Sequence, residues 1–289
     1  LNEALVPIFF ALIAAACFGG QLVLTMRSFA YADPQTSSMI SIGTCVIIFW
    51  LLSPFLLKTE YFSSPAMWVF LGNGLIHPLF SLYLSFEASK RMGSTVSATI
   101  AAIAPLFATI GAVLVLGEHV TLIFLLGTIC TVAGIMILSW KRQGHINWAL
   151  TTLVFPLGAA VIRGANHNIA KFGLHLLPSP YFASLVSFTV SFFGAIMIYR
   201  FRSGSLPTRL PAGSVIWSGL SGICIAMGVL SMYSALNYGQ VVVVSPIIAT
   251  FPFFTLLINL LFRQERFRLS ILTGVVLVVG GIIWISIQR

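Results

Sequence analysis

The stretch from Gly93 to Ser139 occurs twice in the chain: moved by 147 positions, it lies without a gap on Gln240 to Ser286. Pro105 falls on Pro252, Glu118 on Glu265, Gly127 on Gly274, Gly134 on Gly281 and Ser139 on Ser286. Between these marks both copies are almost entirely apolar. Each copy reads as a proline-containing apolar helix, a short turn bearing a glutamate, and a second apolar helix with spaced glycines. The chain therefore divides into two related halves, 1–143 and 144–289.

Composition says which solvent these halves face. Of 289 residues, 58% are hydrophobic and 7% charged, against about 25% charged in a soluble domain. Too little polar surface is left to meet water, so most of the outside must meet lipid. A spanning helix needs about 20 mostly apolar residues. That rule predicts ten spans, at 5–26, 35–57, 66–89, 93–116, 119–139, 148–173, 179–200, 212–237, 240–262 and 267–287. The first run reads as a retained span, because the residues before it carry Glu3 and neither Lys nor Arg. Pro34, Pro65, Pro180 and Pro211 stand near span starts, where a missing N–H is harmless.

The links are so short that consecutive spans must run antiparallel. Five spans per half is an odd number, so the second half enters the bilayer in the opposite sense. The expected fold class is an all-α membrane protein with ten transmembrane helices in two inverted five-helix repeats. Charge supports this. Links after odd-numbered spans hold Arg27, Lys90, Arg91, Lys141, Arg142, Arg200, Arg202, Arg209, Arg263, Arg266 and Arg268; the other side holds Lys58, Lys171 and Arg289. Positive links stay in the cytoplasm, which puts both termini outside.

Other function classes fit poorly. The net charge of +9 is scattered between apolar runs and makes no phosphate-binding face, so nucleic acid is not expected as a partner. Cys17, Cys45, Cys130 and Cys224 sit in apolar runs with no CxxC, which suggests neither a disulfide framework nor a zinc site, and no cofactor is expected. HExxH, GxSxG and paired intramembrane aspartates are missing from the sequence, so an enzyme is not expected.

Several local runs carry a family resemblance. Pro105 and Pro252 are each followed thirteen residues on by Glu118 and Glu265. Tyr83 to Gly93 precedes the first of these helices and Met232 to Gly239 the second. Arg163 to Lys171 opens the second half, and Phe18-Gly19 matches its start in the first. On these residues the chain resembles the drug/metabolite transporter superfamily, in its ten-helix form with two EamA-type repeats. Lys171 fits the family's lysine in the second copy; the first copy departs from the pattern, with Met26 where that lysine would be, beside Arg27, and the chain lacks an arginine often found in the second helix of each repeat. The resemblance implies a secondary transporter working by alternating access, with helices 1, 3, 4, 6, 8 and 9 around a central cavity. It implies export of amino acids or related small metabolites from a bacterial inner membrane; the aromatic-rich chain and Arg163 point to aromatic or other apolar amino acids first, and a monomer or homodimer is expected. Other metabolites, cationic drugs, or a static channel or subunit are the alternatives.

Polar groups inside a span are expensive and hence functional candidates. Substrate-binding candidates are Gln21, Asn73, His77, Tyr83, Arg163, Asn166, His167, Tyr233 and Asn237. Arg163, His167 and Lys171 share one helix face at four-residue spacing. Arg163 suits a substrate carboxylate; the alternative is that it reaches the interface or backbone carbonyls. The histidines suit either a ligand or a neighbouring helix. Glu118 and Glu265 are expected to cap the helix that follows each of them. Pro105, Pro246 and Pro252 are expected to kink spans 4 and 9, as gating elements or as fixed bends. Glycines such as Gly19, Gly20, Gly72, Gly74, Gly219 and Gly222 read as close-packing faces, with hinges or cavity walls as the alternative. No carboxylate stands mid-span, so exchange or facilitated diffusion fits better than a proton antiporter with a central acid.

Overall fold

The computed structural model describes residues 5–140, 149–204 and 210–261, with the isolated residues 277 and 280. The tenth expected span, 267–287, falls outside them apart from those two positions, and so does Glu265.

The chain is helical throughout the described residues, apart from short turns and links. Helices α1 (Leu5–Ser28) and α2 (Pro34–Leu56) form the first two spans. The third span is split into α3 (Ala66–Ile76) and α4 (Leu79–Met92), and the fourth into α5 (Ser94–Ala101) and α6 (Ala104–Leu116). Helices α7 (Leu122–Trp140), α8 (Val154–Leu176), α9 (Pro180–Ser203) and α10 (Ala212–Tyr238) follow. The ninth span is again split, into α11 (Val241–Ile248) and α12 (Phe251–Leu261). Six of these spans are long and apolar enough to cross a bilayer. Large apolar side chains such as Phe55, Leu114, Phe193 and Leu261 stay exposed on the outside, as a lipid-facing surface requires.

The splits have a chemical cause. Proline lacks an N–H and its ring meets the carbonyl four residues back. Four before Pro105 is Ala101, where α5 ends, and four before Pro252 is Ile248, where α11 ends. Both prolines thus sit in the first turn of the second segment, not in the middle of a bent helix. Pro246 lies inside α11, which continues past it. The third span, expected to run unbroken over 66–89, is also interrupted, at His77-Pro78.

What holds the two halves together is close helix contact. A Cβ on Gly19 would stand 2.7 Å from Phe254 Cβ and 2.8 Å from the Phe251 carbonyl oxygen. A Cβ on Gly164 would stand 2.7 Å from Phe107 Cβ and 2.9 Å from the Ala104 carbonyl oxygen. These are the same contact made twice: the first helix of each half rests on the second segment of the other half's split helix. Another pair repeats the pattern, with Gly74 of α3 against the Ser187 backbone of α9 and Gly222 of α10 against the Ser41 backbone of α2. The packing reading of these glycines thus applies at Gly19, Gly74 and Gly222. Gly72 has nothing within 4 Å of where its Cβ would be.

Hydroxyls add polar contacts between spans. Thr25 and Ser221 Oγ atoms lie 2.9 Å apart, Ser28 pairs with Ser218 at 2.6 Å and with Ser37 at 2.9 Å, and Ser41 donates to the Ser218 carbonyl at 3.0 Å. At the start of α2, Asp33 caps the helix by accepting from the Gln35 and Thr36 amides. Burial alone would raise the Asp33 pKa, but these amides and the Thr36 hydroxyl outweigh it and hold the carboxyl below its ordinary value.

Two predictions follow from this packing and capping. Gly19→Ala and Gly164→Ala each force backbone apart and should destabilise by about 1–3 kcal/mol, seen as a lower unfolding temperature in detergent; Gly72→Ala should leave it unchanged. Asp33→Ala should remove about 1 kcal/mol of cap stability at neutral pH. Because the folded-state pKa is lowered, the wild-type advantage should be full above about pH 5 and fade as pH falls below about 4; an equal deficit at pH 3 and pH 7 would contradict the capping account.

Candidate functional site

A small internal cavity of about 50 Å³ lies between α1, α4, α8, α9, α10 and the split α11–α12 helix. Four of the sequence candidates line it: Gln21, His77, Arg163 and His167. Gln21 comes from α1, two residues past the Gly19 crossing. His77 occupies the gap between α3 and α4, where its extended backbone ends α3 with the amide still bonded to the Asn73 carbonyl. Arg163 and His167 come from α8, one turn apart on one face. Phe18, Phe188, Val229, Met232 and Phe251 supply apolar wall.

Arg163 is half-buried. Its guanidinium donates to the Ser85 hydroxyl at 3.1 Å and lies 5.2 Å from the centre of the Phe251 ring. The salt bridges found among the described residues, Lys58–Glu60 and Arg91–Glu87, leave Arg163 without a carboxylate partner. His167 Nδ1 lies 2.9 Å from the Ser245 hydroxyl. Its Nε2, and Nδ1 of His77, have no hydrogen-bond partner among the described residues. Leaving such a buried group unpaired costs about 1–3 kcal/mol; Asn73 Oδ1, Asn166 Nδ2 and Asn168 Oδ1 are also without a partner among the described residues, but only the two histidine nitrogens belong to side chains on the cavity wall.

The other candidates are placed elsewhere. Asn73, Asn166 and Tyr233 are fully buried behind the cavity wall, where they bind one another. Asn73 donates to Asn166 Oδ1 at 2.9 Å and to the Tyr233 hydroxyl at 3.1 Å, and that hydroxyl donates to Asn166 Oδ1 at 3.2 Å. This cluster ties α3, α8 and α10 together. Tyr83 points from the other face of α4 into an open groove shared with Asp33, Glu87, Lys90, Arg91 and Tyr199. Asn237 is half-buried near the end of α10 and does not line the cavity. Pro105, Pro246 and Pro252 are buried at or beside the splits.

Glu118 does cap a helix, but not the one expected. Helix α6 ends at Gly117, whose φ of 67° is the left-handed conformation that glycine adopts freely. That turn sends Glu118 across to the second half, where its carboxylate accepts from the Val241 amide at 2.9 Å and the Val242 amide at 3.0 Å. It thus caps α11, 123 residues away, rather than the following α7. Lys171, at the far end of the α8 face, donates to the carbonyls of Leu236 at 2.7 Å and Gly239 at 2.9 Å. One charge grips the start of α11 and another the end of α10, so the turn between them is held from both sides.

Sequence reading missed Ser85, Ser245 and Phe251, the three groups against Arg163 and His167. Ser81 and Ser85 lie four apart on α4, a spacing that signals a shared face. For Ser245 and Phe251, which sit either side of the 249–250 split, no comparable signal exists.

Comparison with known proteins agrees with this architecture. An uncharacterised protein of Methanocaldococcus jannaschii is 34% identical over 70 residues, 24% of this chain and 51% of that relative. The chain thus spans about half the length of the curated relative it matches. A crystal structure of another protein superposes with a TM-score of 0.78 over 99% of this chain and 97% of the other, at 14% identity, a likeness of fold. The EamA-like transporter family matches residues 5–140 and again 150–287. Two matched repeats, apolar helices of membrane length and cross-packed halves agree: this multi-pass membrane protein belongs to the EamA-like transporter family.

Proposed function

We propose that the chain is a carrier that moves small organic molecules bearing a carboxylate across the membrane, amino acids with aromatic or apolar side chains being the first candidates. The observation that supports this reading is Arg163, a cation on the cavity wall that has a hydroxyl and an aromatic face for neighbours but no carboxylate among the described residues. A ligand carboxylate would supply the missing partner through charge-assisted hydrogen bonds. The apolar wall would take the rest of the molecule.

Transport would proceed by alternating access between two inverted halves, 1–143 and 144–289, rocking about the cavity. At about 50 Å³ the cavity has space for only a few waters. A metabolite therefore requires wall movement; the split helix α11–α12, which forms part of the wall, would supply it, with its counterpart α5–α6 moving in the other half. The Glu118 and Lys171 contacts close the end of the bundle that charge bias places outside the cell. Export from a bacterial inner membrane is the direction and setting that the family resemblance suggests.

Two outcomes test this. In liposomes preloaded with unlabelled amino acids, the purified protein should take up labelled substrate by counterflow; Arg163→Ala should lower that uptake at least about tenfold and Arg163→Lys less, since an ammonium keeps the charge but loses the fork. Full uptake in the alanine variant sinks the carboxylate contact. Glu118→Ala should open the outer end: with the native cysteines replaced, Ser81→Cys should react faster with an impermeant maleimide added outside, and equal rates with and without Glu118 would remove the latch.

A further inference from the structure

We propose that His77 and His167 act with Arg163 as an anion-recognition site, and that the cavity prefers an organic monoacid with an apolar body to the zwitterionic amino acid of the same shape. The inference rests on the carrier reading above, keeps its carboxylate-bearing substrates, and puts monoacids ahead of the amino acids named there as first candidates.

Two observations carry it. The first is the pair of unpaired ring nitrogens. His77 is 8% exposed and His167 2%, both line the cavity with Arg163, and His77 Nδ1 and His167 Nε2 have no partner among the described residues. A neutral imidazole can carry its proton on either nitrogen. When an anion stands beside Nε2 of His167, the tautomer that presents N–H to it is favoured, and the Ser245 hydroxyl can then donate to Nδ1. His77 can offer Nδ1–H in the same way. Both nitrogens are enclosed in this state, so the wall movement that admits a ligand would also have to bring them to it; the two rings and the guanidinium would then donate to one negative group.

The second observation is charge balance. Among the described residues, Arg163 is the sole formally charged side chain on the cavity wall, and no Asp or Glu lines it. A monoanion neutralises that charge. A zwitterion brings in an ammonium as well, which must give up its water near a guanidinium with only hydroxyls, an amide and imidazoles as neighbours. The amine is therefore a liability here, whereas the aromatic or aliphatic body is matched by Phe18, Phe188, Val229, Met232 and Phe251.

Three ligands of one skeleton decide the matter: phenylalanine, 3-phenylpropionate, which lacks the amine, and phenethylamine, which lacks the carboxylate. Affinity is read by competition in counterflow and by ligand-induced thermal shift. The monoacid should bind at least about tenfold tighter than phenylalanine, and phenethylamine should not bind. His77→Ala and His167→Ala should each weaken the monoacid about tenfold and phenylalanine by a similar factor, because both present the same carboxylate, so that the preference between them persists. His77→Gln and His167→Gln, which restore an N–H donor, should recover part of the loss, and this guards against variants that merely fold poorly. Phenylalanine binding as tightly as the monoacid overturns this inference but leaves the carrier reading intact, as does a histidine variant with unchanged monoacid affinity. If none of the three ligands binds and Arg163→Ala has no effect on counterflow of any amino acid, the carrier reading itself fails and this inference with it.

Discussion

Everything in this bundle depends on two backbones approaching closely enough that a methyl group would not fit between them. In lipid there is no hydrophobic force to press helices together, because the tails are as apolar as the side chains. Cohesion must come from close packing and from polar contacts. Gly19 and Gly164 supply the first, and each seats its helix on the other half's split helix. The seats lie at Phe251–Thr255 and at Ala104–Ala108, immediately after the breaks set by Pro252 and Pro105. Proline break and glycine contact therefore form one unit. Polar side chains complete it: the Thr255 hydroxyl donates to the Gly19 carbonyl at 3.2 Å, and Asn168 donates to the Ala108 carbonyl at 3.0 Å. Neither half contains both parts of any such joint.

On this nearly two-fold frame the cavity is one-sided. Where Arg163 and His167 stand on α8, the matched positions on α1, aligned through Phe18-Gly19 and Arg163-Gly164, are Phe18 and Leu22. The interruption at His77-Pro78 splits the third span, but its counterpart α10 runs unbroken over 27 residues. These departures from symmetry collect the polar groups on the α4–α8 side and leave α1 and α10 to supply mostly apolar wall. Duplication accounts for the scaffold. The differences between the copies account for the chemistry the scaffold can offer.

The parts legible in the sequence were those encoded locally or by repetition. The helices between residues 5 and 261 lie near the expected apolar runs, six of them long and apolar enough to cross a bilayer, because apolar length is a local property. Pro105 and Pro252 were readable as breaks for the same reason. The split at His77-Pro78 is marked in the sequence only by a proline inside an apolar run, and with no partner in the other copy it does not stand out from an unbroken span over 66–89. What joins distant segments was not legible. That Glu118 would cap a helix follows from its place in a turn, but that the helix would be α11 depends on Gly117 turning the chain toward the other half. Asn73, Asn166 and Tyr233 are polar residues in spans, and periodicity alone does not tell a residue facing a cavity from one facing three neighbouring helices. Tyr83 illustrates the same limit from the other side: it shares α4 with cavity-lining Ser81 and Ser85 but faces away.

Helix α8 brings these strands together. Within nine residues it presents Arg163 and His167 to the cavity, Gly164 to the α6 backbone, Asn168 to the Ala108 carbonyl, and Lys171 to the end of α10. A ligand shifts a conformational equilibrium only through contacts that differ between the two states. Under the proposed carrier mechanism, a carboxylate at Arg163 and His167 would bind best when the wall carrying Ser245 and Phe251 stands close to α8. That wall is the split helix whose first amides Glu118 holds. Closing around the ligand and gripping or releasing the α10–α11 turn would then be movements of the same two elements. Coupling between the cavity and the end of the bundle would need no long relay, because α8 and α11 each reach both places.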